Sequence, residues 1–279
     1  MLLYQREPWF ALLNPVRITG DLYRHRVLIW QFVWRNIELQ HKGSFLGIAW
    51  SMLSPLLLFA VYAFVFLVAF EGRFGVVPSE TRADYAIGLF LGLSLAQVLQ
   101  ETLSMAPLLV VQNPNYVKKV VFPLEILPVS VVGAALYRCL VSLGLVVLAV
   151  AIWGPGLDIT ACWLPVIVGL LVMLSLGVAW MLSALGVFLR DLALLAQFFA
   201  VLLTFMSGIF YSLGKLPSTF SFLSYNPLLV LIEAGRDVLL WHRPPSVPDL
   251  AYVGLVSVLL CLVGHLVFAA LKPAFSDVL

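Results

Sequence analysis

From Gly43 to Phe70 the chain runs without a single Asp, Glu, Lys or Arg, and that run decides the solvent in which it folds. A helix rises about 1.5 Å per residue, so roughly 20 apolar residues cross the hydrocarbon core of a bilayer. Further stretches have the same reach. Tyr85 to about Val111 is interrupted only by Glu101, and Pro123 to about Ile152 holds Glu125 in its first turn and Arg138 near its middle. Ile159 to Leu189 and Leu192 to Gly214 follow, and the last run lies between Leu250 and Leu271 with His265 inside it. Charged residues make up 11% of the chain against about 25% in ordinary globular domains, too few to cover a soluble surface. The expected fold is an all-α integral membrane protein with six transmembrane helices.

Lys and Arg in the flanks set the orientation of such a chain. Arg6, Arg17, Arg24, Arg26, Arg35 and Lys42 precede the first span, and Lys118 and Lys119 stand between the second and third. Arg190 joins the fourth to the fifth, and Lys272 opens the tail. The connection between the third and fourth spans has no basic residue, and the one between the first and second sets Arg73 and Arg82 among three acids. Both termini are expected in the cytoplasm. That places Lys215, Arg236 and Arg243 outside, offset by three acids. Arg6 and Glu7 precede an apolar stretch broken by Pro8, Asn14 and Pro15, so no secretory leader is expected. The chain divides into a cytoplasmic segment (1–42), a transmembrane domain (43–271) and a cytoplasmic tail (272–279).

Two pieces do not span. Asp21 to Lys42 reads as an amphipathic helix along the cytoplasmic interface, with Asp21, Arg24, Gln31, Arg35, Glu38 and Lys42 on one face and Leu22, Ile29, Val33 and Ile37 opposite. It serves as a basic membrane anchor or also docks a partner through Arg24, Arg35, Glu38 and Lys42. Residues 216–248 start apolar, break at Asn226-Pro227 and resume helical spacing through Leu228, Leu231, Ile232, Gly235, Val238 and Leu239. Glu233, Arg236 and Asp237 crowd the second half, which disfavours a lipid-exposed span. Two short helices around the Asn-Pro turn are expected to dip in and return to the outer side as a re-entrant pair.

Little in the chain looks catalytic. Cys139, Cys162 and Cys261 are odd in number and lie in apolar runs, which reads as buried small hydrophobes rather than disulfides or a metal site. A net charge of +2 gives no reason to expect nucleic acid. A phosphate-cradling loop needs Gly-Lys followed by Ser or Thr, whereas Gly214-Lys215 precedes Leu216, so ATP is not expected to bind by that route. Ser207-Gly208 with His265 resembles an intramembrane serine hydrolase only loosely, because Phe205 stands where such enzymes carry Gly. The intramembrane charges Glu101 and Arg138 are costly in lipid and need each other or water, so a structural ion pair and a hydrated pathway are both open.

Between the second and third spans lies Gln112 to Phe122, a short basic segment with an aromatic residue, Tyr116, that an ordinary positive-inside loop would also explain. Taken in order, Gly43-Ser44, Leu46-Gly47, Trp50, Pro55-Leu56, Tyr62 and Val65-Phe66 in the first span are followed by Asn113-Pro114 through Lys118-Lys119. Phe122-Pro123-Leu124-Glu125, Leu127-Pro128, Phe188, Arg190-Asp191, Tyr211, Asn226-Pro227-Leu228 and Arg236 complete the series. In this order and spacing the chain resembles the permease subunits of ABC-2 type polysaccharide exporters, the O-antigen export group, from about Leu22 to Leu271. It departs ahead of the first span, where the family commonly carries Arg-Asp and then Arg-Tyr, and this chain has Arg35-Asn36 and Gln40-His41-Lys42.

The resemblance implies a homodimer in the cell inner membrane, joined to two copies of a separate ABC ATPase that holds ATP and Mg. This chain would carry no cofactor and would not be an enzyme. The substrate would be a lipid-linked polysaccharide, with O-antigen favoured by Gly43-Ser44 ahead of Leu46-Gly47; capsular polysaccharide, teichoic acid and, more remotely, an ABC-2 drug exporter or an intramembrane hydrolase are the alternatives. Asn113, Pro114, Asn115, Tyr116, Val117, Lys118 and Lys119 would form the helix coupled to the ATPase, with the amphipathic helix beside it. Asn226, Pro227, Glu233, Arg236 and Asp237 would belong to an outer gate. Aromatic rings stack on sugar faces, which makes Phe59, Tyr62, Phe66, Phe198, Phe199, Phe205, Phe210 and Tyr211 candidates for the glycan path.

Overall fold

The computed structural model describes residues 15–279 apart from 42, 44, 70, 71, 119–121 and 216. Helices α1 (Pro15–Arg24) and α2 (Arg26–His41) come first, meeting at His25. The interface helix expected over Asp21–Lys42 therefore begins earlier and is bent; Lys42 lies outside the described residues. Its apolar face does not lie in lipid, because Phe32, Val33 and Ile37 are buried in protein. Gly133 makes room for this docking, since a Cβ there would come within 2.6 Å of the Val33 side chain. Val27, Trp30 and Leu39 on the remaining surface stay exposed.

Helix α3 (Trp50–Ala63) runs on through a π-helical stretch, Phe64–Ala69. Helix α4 (Arg82–Met105) starts in a capping box in which the Thr81 hydroxyl accepts from the Asp84 N–H and Asp84 accepts from the Thr81 N–H. Asn113-Pro114 opens the short α5 (Pro114–Lys118), within the segment expected to be cytoplasmic. Helix α6 (Ile126–Trp153) stops at Gly154, and a 3-10 turn at Ile159–Trp163 leads into α7 (Leu164–Phe188). Then come α8 (Leu192–Met206), a 3-10 segment Ser218–Tyr225, α9 (Pro227–Leu239), α10 (Val247–Leu271) and α11 (Phe275–Val278). The first half of the expected re-entrant pair is thus a 3-10 helix.

Among the described residues four helices are long and apolar enough to cross a membrane: Arg82–Leu108, Ile126–Trp153, Ile159–Phe188 and Val247–Val278. Trp50–Phe66 and Leu192–Met206 are apolar but shorter. The fifth apolar run outlasts its helix because the chain turns at Gly208, whose φ of +68° suits glycine and strains other residues.

Helix α4 is central, with nearly every side chain from Tyr85 to Ala96 buried, and it packs on α6, α7, α8 and α9. The longest contact is α7 on α10, made backbone to backbone. A Cβ at Gly264 would strike the Gly177 carbonyl, and one at Gly177 would strike the backbone at Leu260. Small residues that let helices touch are how membrane helices gain contact without a hydrophobic driving force between them.

The connections sort to two ends. At the basic end Lys272 pairs with Glu125 at 2.8 Å, the Trp180 indole donates to the Glu125 carbonyl, and Phe275 is buried against Phe268. At the far end the Tyr85 hydroxyl donates to the Phe210 carbonyl and Thr160 to that of Val238, while His242 bonds the Gly156 carbonyl. Gly177→Ala or Gly264→Ala should cost about 1–3 kcal/mol through overpacking, read as a lower thermal midpoint of purified protein in detergent. Gly169→Ala, on the same helix with open space around it, should leave the midpoint in place. Equal shifts for all three would refute the close contact.

Candidate functional site

At the basic end α2 and α5 meet through one arginine. Arg35 donates to the Tyr116 hydroxyl at 2.9 Å and its guanidinium lies 4.5 Å from the Phe32 ring. Phe32, Tyr116 and Phe122 form a three-ring cluster with centroids 4.7–5.6 Å apart. One turn on, Asn36 donates to Ser130 of α6 at 3.0 Å. Both segments expected to face a cytoplasmic partner are therefore one contact surface. Arg24, Asn115 and Lys118 are exposed around it, and Val117 is half-buried. Asn113 donates to the Leu109 carbonyl, and Glu38 accepts from the Trp34 indole. Lys119 lies outside the described residues.

Midway along the bundle Glu101 and Arg138 pair in two-pronged fashion. Arg138 Nε donates to Glu101 Oε1 at 2.9 Å, Nη2 pairs with Oε2, and Gln97 donates to Oε1 from one turn away on α4. Each charge, costly in lipid by itself, thus has the other beside it. A fork of parallel bonds is the strongest geometry available to a carboxylate. The Arg138 side chain is 6% exposed and that of Glu101 18%. Beside them Gln100 donates to Thr204, tying α4 to α8.

The far end is organised by the break in α8. Ser207 makes the last helical bond, to the Leu203 carbonyl, and the carbonyls beyond it are taken by side chains. Tyr211 Oη donates to the Phe205 carbonyl, Asn226 Nδ2 to Met206, and Tyr85 Oη to Phe210. Arg236 Nη2 donates to the Ile209 carbonyl at 2.6 Å, with longer contacts to Tyr211 and Gly88. Glu233 accepts from the Leu213 N–H. Arg236 is 2% exposed, and its guanidinium stacks 3.9 Å from the Phe74 ring centre. Asn226 also caps α9 by accepting from the Leu228 N–H, and Pro227 takes the first helical position. Of the residues assigned to an outer gate, Asn226, Glu233 and Arg236 therefore brace the broken helix. Asp237 is raised to about 6 by burial first and by the Glu233 carboxylate next.

Four of the candidate path aromatics gather at this break. Phe66 stacks on Phe210 at 4.2 Å, with Tyr62 at 5.4 Å and Phe205 at 5.8 Å from the same ring. Phe59 packs on Phe90 instead. Phe198 and Phe199 pair with each other lower on α8 and are 63% and 51% exposed. Sequence reasoning missed Tyr85, Phe74 and the buried Glu80, which accepts from the Phe74 and Gly75 N–H groups. A carboxylate in a Pro-Ser-Glu-Thr turn carries no sign that it will be buried. Ser207 belongs to the far half, whereas His265 packs on Trp180 at 5.1 Å in the half whose indole reaches Glu125, so these two do not form a catalytic pair. Among the described residues no group of three His, Cys, Asp or Glu is placed to hold a metal.

The fold is that of a helical, multi-pass membrane protein whose buried charges Glu101, Arg138 and Arg236 brace its helices. Residues 27–240 match the ABC-2 type transporter family, and the chain belongs to that family. It is 25% identical over 265 residues to the O-antigen export system permease protein RfbA of Myxococcus xanthus, covering 94% of this chain and 99% of that protein. Two Klebsiella pneumoniae proteins of the same name are 26% and 24% identical over 88% of this chain and 92% of their own lengths.

Removing one partner of a buried ion pair strands the other, at a cost of about 3–5 kcal/mol, while replacing both is close to neutral. Glu101→Ala and Arg138→Ala should each lower the thermal midpoint markedly, and the double variant Glu101→Gln/Arg138→Met should recover most of the loss. A double variant as unstable as either single would show that the pair is not what holds α4 to α6.

Proposed function

We propose that this chain is the membrane permease of an ATP-driven exporter carrying lipid-linked O-antigen polysaccharide across the inner membrane. The observation that carries the reading is similarity to named O-antigen export permeases over nearly the whole chain and nearly the whole of each relative. Two copies of the chain form the pathway, and two copies of a separate ATPase, holding ATP and Mg, drive it. The exposed apolar faces of α3 and α8, including Val61, Phe64, Leu194 and Val201, suit lipid or a second copy.

The six-span reading takes α3 and α8 as spans in addition to the four long helices. Helix α3 gains length from its π-helical continuation. Helix α8 covers about 22 Å at 1.5 Å per residue, and the chain beyond Ser207 continues to Gly214 in the same apolar run. Residues 216–248 then stay on the outer side as a re-entrant segment with its deepest point near Asn226-Pro227. Both termini are cytoplasmic, and α5 with the Arg35 side of α2 meets the ATPase. A push on α5 reaches α2 through Tyr116 and Arg35, and α6 through Asn36 and Ser130.

Deleting the gene should leave lipid-linked polymer inside the cell and strip it from the surface, with plasmid-borne wild type restoring it. Replacing Tyr116, Lys118 and Lys119 together with Ala should abolish restoration at normal membrane levels. Surface polymer that persists without the chain would overturn the export reading, and full restoration by the triple variant would remove α5 from coupling.

In a background with Cys139, Cys162 and Cys261 replaced, Thr219→Cys and Ser246→Cys should both react with an impermeant maleimide added from outside. Labelling of only one would make residues 216–248 a crossing segment and invert α10.

A further inference from the structure

At the far end, between the start of α4, the end of α6 and the chain leaving α9, lies a cavity of about 360 Å³. Its walls include Trp153 and Trp241, Asp84, the hydroxyls of Ser79 and Thr81, and Leu240. Those residues come from three separate elements, and none of them is assigned to a pathway, a gate or a partner surface above. The volume falls at the small end of the 300–1,000 Å³ range of small-molecule clefts, room for roughly one or two sugar rings.

The chemistry of the walls selects the occupant. Among the described residues none of those lining it is Lys or Arg, so a phosphate or other anion would meet the Asp84 carboxylate without a compensating cation in the wall. Two indoles offer broad apolar faces, which suit the C–H face of a pyranose. Asp84 uses Oδ2 for the Thr81 N–H at 2.9 Å and the Thr81 hydroxyl at 2.8 Å, leaving Oδ1 as an acceptor. A charged acceptor makes stronger bonds to sugar hydroxyls than a neutral one. The same capping box pins Asp84 and Thr81, so the polar wall is preorganised. A tryptophan that merely anchors a helix at the membrane interface needs no partner. Here Trp153, 70% exposed, shares a cavity with a half-buried Trp241 from another element.

We infer that this cavity is a saccharide subsite at the outer face, binding a neutral sugar unit of the polymer as it leaves. Only the identity of the polymer rests on the export reading; the binding of a sugar is measurable without transport. The cavity floor includes the end of α9, the helix whose Arg236 braces the break in α8, so an occupant would touch the element that supports the fifth span's outer third.

Saturation-transfer NMR on the full chain in lipid nanodiscs tests this with the methyl glycosides of glucose, galactose, mannose and rhamnose, and with choline as a cationic probe. At least one glycoside should give a signal that falls at least tenfold in Trp153→Ala/Trp241→Ala. It should also fall in Asp84→Asn, which keeps an oxygen for the Thr81 cap; unchanged thermal midpoints identify folded variants. Absence of signal from all four glycosides, or a signal insensitive to these variants, would overturn the subsite. Binding of choline alone would make the cavity a cation cage instead. If brominated lipids quench a fluorescence component that the double Trp variant loses, the two indoles face lipid and the proposal fails. Loss of sugar binding with dependence of surface polymer on the chain intact overturns the subsite only, whereas surface polymer independent of the chain overturns the export reading.

Discussion

Within hydrocarbon a peptide group has no water to bond, so chain that leaves a helix there must find donors and acceptors in protein. The stretch after Met206 is the severe case in this molecule. Tyr211 turns back to the Phe205 carbonyl from within the stretch, and Asn226, Arg236 and Tyr85 meet those of Met206, Ile209 and Phe210 from elsewhere in the sequence. Arg236 is the key member because one guanidinium, with five donors in a fixed fork, can serve several carbonyls at once. A lysine offers three donors at a single point and could not span Ile209 and Gly88 in the same way. The placement of α9 follows from this need: it lies where its arginine can reach both the broken strand and α4, and its Asn226 closes the gap from the other side.

The second constraint is the ion pair in the middle of the bundle. Two buried charges rarely add net stability over a well-packed apolar pair, so the Glu101–Arg138 contact is better read as fixing which faces of α4 and α6 meet. Rotation of either helix by one residue, about 100°, would leave a bare charge in an apolar setting. Gln97 reinforces the register from the turn above. Glu101 remains partly open, and it stands near the polar Gln100–Thr204 contact that links α4 to α8.

Much of this was legible in the sequence because the bilayer reads length and charge and little else. The long runs became α4, α6, α7 and α10 with ends shifted by a few residues, and the break read at Asn226-Pro227 is where α9 starts. Glu101 and Arg138 stood out as costly, but their pairing is a contact between residues 37 apart in sequence, which no local period encodes. Gly208 stood out only as part of Ser207-Gly208, and nothing local showed that the fifth run would break there or where the freed carbonyls would go. The interface helix misled for a physical reason. Its apolar face could be satisfied by lipid or by another helix, and only Gly133, eight residues into a different element's sequence, makes protein the better partner for Val33. Arg236 was expected among the charges of an outer gate, and no local pattern showed that it would be buried, at 2% exposure, against the backbone of the broken helix.

These separate contacts are joined by α6. Its first turns hold Ser130 against Asn36 and lie beside the Glu125–Lys272 pair, its middle carries Arg138, and its last residue, Trp153, forms a wall of the outer cavity. A helix of 28 residues is about 42 Å long, and α6 runs that length as one α-helix from Ile126 to Trp153. In the proposed exporter, force applied at the Tyr116–Arg35 contact would reach the cavity wall as a tilt of this one helix rather than as a relay of side-chain movements. The ion pair would then serve as the pivot, because its forked, charge-assisted bonds hold the middle of α6 to α4. On that reading coupling and exit are mechanically one problem, and the Glu101–Arg138 contact would set how much of a movement at the basic end survives to the far one.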